Sequence, residues 1–305
     1  MMVQRVSILV NPAAGRGRAR RLLARLHASG ASGEFDIQLT TGPGDERRAT
    51  LAALDCGCTT LVAIGGDGTW SQVAGALVES RADCRLALVA AGTGNDFAKS
   101  AGAPAQDLAS TLRLAREGPD VAVDVIRIGA GYCLNVAGFG FDAAVLADTA
   151  GIPLLRGDAL YLAAAARQLF QYQGLEIDTG SGFRRHLLLA ICNGRHFGGQ
   201  FHIAPDARLD DGLLEIIAIH DATPWERIRL FASVIQGAHL GLAGVSRQSV
   251  AQMTLRFRQP PGYEVDGELR RATGAELSIE VLPRVLRVVT SCPSTSASPP
   301  GQAAP

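Results

Sequence analysis

Lysine is almost missing from this chain. Of 29 basic residues among 305, only Lys99 is a lysine, so any phosphate chemistry rests on arginine, main-chain amides and metal ions. The formal net charge is zero, which argues against a broad basic footprint, and no nucleic-acid partner is expected. No pair among Cys56, Cys58, Cys84, Cys133, Cys192 and Cys292 has the C-x-x-C spacing of a zinc or redox site. No window offers the roughly 18 uninterrupted apolar residues of a spanning helix. The apolar run Val6–Val10 is too short for the core of a signal peptide. A reduced, cytoplasmic, soluble protein is the expectation. The phosphate loop G-x-x-x-x-G-K-[ST] is absent, which excludes a Walker-type ATPase. Ser71 and Ser100 stand in no Ser-His-Asp pattern, so hydrolase chemistry is unsupported. His196 and His202 lack a metal-type helical spacing.

What is present is a strand, a glycine-rich loop and a helix, used repeatedly. Val6–Val10 ends at Asn11-Pro12 and the small-residue loop Ala13–Gly17, and Leu22, Leu23 and Leu26 follow at helical spacing. A second strand, Phe35–Leu39, runs into Thr40 and Thr41, after which a helix is expected over 45–54 with Asp45 as its N-cap. The run Thr60–Ile64 leads into Gly65-Gly66-Asp67-Gly68-Thr69, and Leu86–Val89 leads into Gly92-Thr93-Gly94-Asn95-Asp96. Such turns aim amides and the positive end of a helix dipole at one spot, which suits a polyphosphate. Four such units predict a doubly wound, mainly parallel α/β domain, with ligands at the carboxyl ends of the strands.

After Pro119 the period changes. Val121-x-Val123-x-Val125, Met253-x-Leu255-x-Phe257 and Leu277-x-Ile279-x-Val281 alternate, as half-buried antiparallel strands do. Helices are expected over 158–171 and 224–241, the latter with Ile228, Phe231, Ile235 and Ala238 on its apolar face. Residues 1–125 are therefore read as a nucleotide-binding α/β domain and 126–291 as a mainly antiparallel β domain with inserted helices. The Ser-, Pro- and Ala-rich residues 292–305 are read as a disordered tail.

Three stretches of the second half are too polar and glycine-rich for core strands: Asn135–Asp142, Asn193–Leu213 and Val265–Glu268. Asp210-Asp211-Gly212 reads equally as a turn or as a cation site of carboxylate and carbonyl oxygens. Asp266-Gly267-Glu268 is a turn, or supplies a general base or metal partner. A phosphate-cradling domain, a carboxylate-rich second domain and no covalent nucleophile suggest phosphoryl transfer.

From Val6 to about Val289 the chain resembles the diacylglycerol kinase catalytic-domain family, in its soluble bacterial lipid kinase branch, with sphingosine kinases as cousins. The motifs are Asn11-Pro12-Ala13-Ala14-Gly15, Gly65–Thr69, Gly92–Ala98, Asn193-Gly194-Arg195, Asp210-Asp211-Gly212 and Asp266-Gly267-Glu268. The resemblance implies a two-domain, ATP- and Mg2+-dependent lipid kinase. Asn11, Thr40, Gly66, Asp67, Gly68, Thr69, Thr93, Asn95 and Asp96 would contact nucleotide or its metal. Asp211, with the carbonyls of Arg208 and Leu213, would hold a magnesium ion. Glu268, Asp67 and Asp266 are the catalytic candidates, with Glu268 as proton acceptor. A lipid acceptor and transient contact with the inner membrane surface are expected, and a homodimer is left open. Trp70-Ser71-Gln72 departs from the family's apolar residue followed by Asn-Glu, which puts a charged role at Gln72 in doubt. Two other readings remain: an NAD kinase-like enzyme, which shares the Gly-Gly-Asp-Gly turn, and a nucleotide- or lipid-binding regulator without catalysis.

Overall fold

Strands buried on both faces need apolar side chains at successive positions, and Ile8, Leu9, Val10, Leu61, Val62 and Ile64 are all solvent-inaccessible or nearly so. The computed structural model describes residues 5–28, 30–42, 44–103, 107–149, 158–199 and 201–291; the tail expected over 292–305 lies outside them. The first half runs β1 (Val6–Val10), α1 (Arg18–Ala28), β2 (Asp36–Leu39), α2 (Asp45–Asp55), β3 (Thr60–Gly65), α3 (Asp67–Ser80), β4 (Arg85–Ala90), α4 (Asp96–Ser100) and α5 (Leu108–Glu117). Its strands are parallel in the order β4-β3-β1-β2. Ala49 and Ala53 of α2 join Trp70, Val73 and Leu77 of α3 in one apolar cluster, and Leu22 and Leu26 of α1 join Ala115 of α5 in another. The indole of Trp70 donates to the Ala63 carbonyl at 3.0 Å, so its polar atom is satisfied inside the core. Asp45 is not the expected N-cap. Gly44 holds that position in the left-handed region, and Asp45, one residue inside α2, accepts from the Thr41 amide at 2.7 Å.

The second half begins with β5 (Asp120–Ile128), β6 (Gly131–Cys133), β7 (Val136–Gly140), α6 (Phe141–Thr149), α7 (Asp158–Gln171), β8 (Leu175–Asp178) and β9 (Phe183–Cys192). It continues with β10 (Leu214–His220), α8 (Pro224–Ile235), β11 (Val245–Val250), β12 (Gln252–Phe257), β13 (Gly262–Val265), β14 (Glu268–Arg271) and β15 (Glu276–Val289). These strands pair antiparallel, with β7 between β9 and β13. An α/β domain of parallel strands is thus followed by a mainly antiparallel β domain, as the change of period required.

Strand β15 joins the two halves, pairing antiparallel with β5 and parallel with β4. Val121–Val123 of β5 oppose Leu286–Val288 of β15, while Val125–Ile128 oppose Ile279–Leu282. Asp124 alone therefore faces three residues, Pro283, Arg284 and Val285, in a bulge where proline's missing N–H costs no ladder bond. Its carboxylate accepts from the amides of Arg284 and Gly212, each at 2.7 Å. Beyond the bulge β15 pairs parallel with β4. Arg287 and Val288 thus lie beside Arg85 and Leu86, so the strands of both halves form one continuous sheet.

The second helix expectation needs a larger correction. α8 ends at Ile235, and Gly237 turns the chain at φ 69° before a short 3-10 turn, His239–Gly241. Arg227, Leu230 and Val234 form the buried face, leaving Ile228 and Ile235 exposed. The guanidinium of Arg227 sets this rotation by donating to the carbonyls of Ala222 and Leu169 and to the Asp221 carboxylate.

Candidate active site

The cleft is built first from backbone. A Cβ on Gly92 would stand 2.7 Å from the Gly66 Cα, and one on Gly66 would stand 3.0 Å from the Gly92 Cα. Loops after β3 and β4 therefore touch main chain to main chain, which only glycine at both positions permits. α3 begins at Asp67 and presents its unpaired N-terminal amides there. The Asn11 side-chain amide donates to Thr69 Oγ1 at 2.9 Å and Glu46 Oε1 at 3.2 Å, tying the loop after β1 to α3. Thr40 is buried at the end of β2, its amide donating to the Val10 carbonyl. Asn95 takes φ 52° and donates to the Gly92 carbonyl at 2.9 Å.

Four carboxylates surround this point. Asp67 Oδ1 accepts the Phe97 amide at 3.1 Å. Asp96 accepts from Lys99 Nζ and from the Gly199 amide, both at 2.9 Å. A Cβ on Gly94 would lie 3.3 Å from Oδ2 of both Asp67 and Asp96, so the two carboxylates face one position. Burial first, then the charges of Asp96 and Asp266, push Asp67 up to about 7 against the pull of the Phe97 amide. From the other half, Glu268 Oε1 lies 2.5 Å from the place a Gly68 Cβ would take, and Oε2 lies 3.9 Å from Arg270. Asp266 is used differently. It sits at φ 49° and its carboxylate accepts from the amides of Leu134, Asn135 and Val136 and from the Cys133 thiol. Burial raises its pKa, and the amides of Leu134 and Asn135 with the Ser71 hydroxyl oppose that rise. Lys99 also donates to the Gly199 carbonyl at 2.7 Å, so the only lysine pins α4 to a loop of the second half.

Asp67, Asp96 and Asp266 open onto a cavity of about 710 Å3, which Gly267 lines but Glu268 does not. Arg16, Asp67, Thr93 and Asp96 line one side; Val136, Asp142, Leu146, Phe197, Phe201 and Glu264 line the other. The facing oxygens of Asp67 and Asp96 fit a hard divalent cation, and a cation would relieve the repulsion that raises Asp67. The Asp211 turn stands apart. Asp211 accepts the Leu213 amide at 3.0 Å, Arg208 reaches Asp210 at 3.4 Å, and none of Arg208, Asp211 or Leu213 lines the cavity. Among the described residues no group of three or more His, Cys, Asp or Glu side chains converges for a metal, so a cation at that turn would need carbonyls and water. His196 and His202 meet edge to face at 4.8 Å, and Ser100 approaches His196 Nδ1 at 3.4 Å. Gln72 lines a separate cavity of about 130 Å3 with Arg47, Glu79 and Arg270.

Two cavity residues, Asp142 and Glu264, were not singled out by sequence reasoning. Asp142 lay in a stretch whose polarity signalled function, but Glu264 stands in a strand like any alternating polar residue. Among the described residues no helix is long and apolar enough to cross a membrane.

Residues 5–128 match the diacylglycerol kinase catalytic domain, and residues 135–290 match the YegS C-terminal NAD kinase beta sandwich-like domain. A Xanthomonas euvesicatoria protein named "Probable lipid kinase YegS-like" is 33% identical over 272 residues, covering 84% of this chain and 86% of that protein. A Pseudomonas aeruginosa protein of the same name is 30% identical over 296 residues, covering 92% of each. The solved structure of a diacylglycerol kinase from Bacillus anthracis superposes with a TM-score of 0.73 at 21% identity, covering 95% of this chain and 98% of that one. The matches run across both halves, so this chain belongs to the YegS-like lipid kinase family.

Proposed function

We propose that the protein transfers the γ-phosphate of ATP to a hydroxyl of a lipid such as diacylglycerol, with Mg2+, in the cleft between its two domains. The observation that carries this reading is the facing pair Asp67 and Asp96, set where two glycine loops touch, with Glu268 reaching over Gly68 from the other half. Amides at the start of α3 and the loop Thr93–Asn95 hold the phosphates. Asn11 orients Thr69 beside them. Asp67 and Asp96 would hold magnesium, whose charge offsets that of the phosphates. Glu268 accepts the proton as the acceptor oxygen bonds to the γ-phosphorus and the bond to ADP breaks. Asp266 is a positioning residue in this reading, because its oxygens already accept from the amides of Leu134, Asn135 and Val136, which pins the turn before Glu268 to the start of β7.

The apolar walls Val136, Leu146, Phe197 and Phe201 suit acyl chains. Trp225, 76% exposed, stands with Ile228 and Ile235 on the outer face of α8, and Phe170 is exposed on α7. An apolar patch of this kind supports peripheral membrane contact.

The test is transfer of labelled γ-phosphate from ATP, with magnesium, to a total lipid extract in mixed micelles, with NAD as a parallel acceptor. A labelled lipid made by wild type and not by Asp67→Asn is expected. Label on NAD alone, or nucleotide binding without transfer to any acceptor, would overturn the reading.

A further inference from the structure

Glu264 of β13 lies directly opposite Gly138 of β7 in an antiparallel register. Side chains at such positions rise on the same face, with Cβ atoms about 4.5–5.5 Å apart. Gly138 has no side chain to place there, and the carboxyl of Asp142 fills the slot instead. A Cβ on Gly138 would stand 1.5 Å from Asp142 Oδ2. The two carboxyls are therefore neighbours across the strand pair. Both residues are more than nine-tenths buried, at 6% and 5% exposure, and both line the large cavity.

Their oxygens are poorly served. Among the described residues neither oxygen of Asp142 has a hydrogen-bond partner, nor has Glu264 Oε2. The amides of Asp142 and Ala143 at the start of α6 favour the Asp142 carboxylate electrostatically, yet neither reaches bonding geometry. Among the described residues no arginine or lysine charge acts on either group. Burying acceptors without donors is costly, and a shared proton between the two carboxyls would satisfy only part of the set. Glu264 Oε1 is the exception, taking the Gly267 amide. That bond fixes Glu264 beside the residue that precedes Glu268. The charges of Asp266 and Asp67 act on Glu264, and both carboxylates line the same cavity, so the unserved oxygens share the cleft with the proposed reaction centre. With no third ligand at hand a metal is a poor occupant, whereas a molecule bringing its own donors completes the site.

We propose that Asp142 and Glu264 form a subsite for a hydrogen-bond donor of the acceptor lipid, a hydroxyl or ammonium adjacent to the hydroxyl that is phosphorylated. This rests on the lipid kinase reading and narrows its acceptor from lipids with a single free hydroxyl, diacylglycerol among them, to diols and amino alcohols.

Three acceptors of equal chain length test it in mixed micelles: a 1-O-alkylglycerol, a 2-amino-1-alkanol, and the ethylene glycol monoalkyl ether that lacks a second donor. Wild type should prefer the diol or the amino alcohol to the monoether by at least about tenfold in kcat/KM, one hydrogen bond's worth of discrimination. In Glu264→Leu that ratio should fall towards one. Glu264→Gln, which keeps shape and an acceptor oxygen, guards against misfolding and should retain more of the preference for the diol than for the amino alcohol. An equal ratio in wild type and both variants would overturn the subsite while leaving the lipid kinase reading intact. Failure of wild type to phosphorylate any of the three, or any lipid of a total extract, would overturn both.

Discussion

Replacing Asp67 by Asn should remove turnover and, at neutral pH without metal, make the protein more stable. Asn keeps an oxygen for the Phe97 amide, and its Nδ2 would place a donor where Oδ2 now faces Asp96. The folded protein holds the Asp67 proton to higher pH than an unfolded chain does, about 7 against 3.8. Its contribution to stability is therefore full below the unfolded value and is lost as pH rises through the folded one. At ~1.4 kcal/mol per tenfold change in proton affinity the loss is bounded by about 4 kcal/mol. Asp67 keeps some solvent contact, and half that bound, about 2 kcal/mol, is the working expectation. Paired melts of wild type and Asp67→Asn in EDTA isolate this group, since every other titration is common to both. The difference in Tm should be near zero at about pH 4 and reach roughly 4–8 °C in favour of Asn at about pH 8.5. Magnesium with nucleotide should stabilise wild type and close the gap. An Asn variant that melts at or below wild type across this range would refute the claim that Asp67 is held at an electrostatic cost.

Glu268→Gln should lower kcat by about 100-fold or more with little change in the KM for ATP, because general-base losses fall on the chemical step; a change confined to ATP would assign the residue to binding. Gly92→Ala sets a Cβ 2.7 Å from the Gly66 backbone, so denaturant melts should show a loss of roughly 1–3 kcal/mol, together with weaker nucleotide binding by calorimetry. Trp225→Ala removes an exposed side chain, so melting should shift by less than about 2 °C while sedimentation with anionic vesicles falls several-fold; unchanged sedimentation would remove α8 from the membrane contact.

How far the chain could be read without coordinates depended on how local the physics is. The parallel domain was legible because runs such as Thr60–Ile64 and Leu86–Val89 are apolar throughout and end in glycine loops, and strand, loop and helix then follow one another in the chain. The positions of Asn11, Thr40, Gly66–Thr69 and Thr93–Asp96 followed from that topology, since strand ends in a parallel sheet share an edge. α8 was misjudged because periodicity alone could not distinguish its two apolar stripes. The buried one carries Arg227, whose desolvation is offset by partners in α7 and the loop before α8.

The sequence by itself determined the two structural classes, the glycine loops at the strand ends and the carboxylates offered for chemistry, because strand period, glycine loops and motif order are written along one stretch at a time. Only the tertiary structure decided which carboxylates meet. It set Asp67 against Asp96, committed Asp266 to backbone amides, left Asp211 away from the cavity, and paired Asp142 with Glu264 through an empty glycine position. Such choices depend on strand register and on contacts between residues more than a hundred positions apart, where burial and the presence or absence of a donor decide what a carboxyl can do.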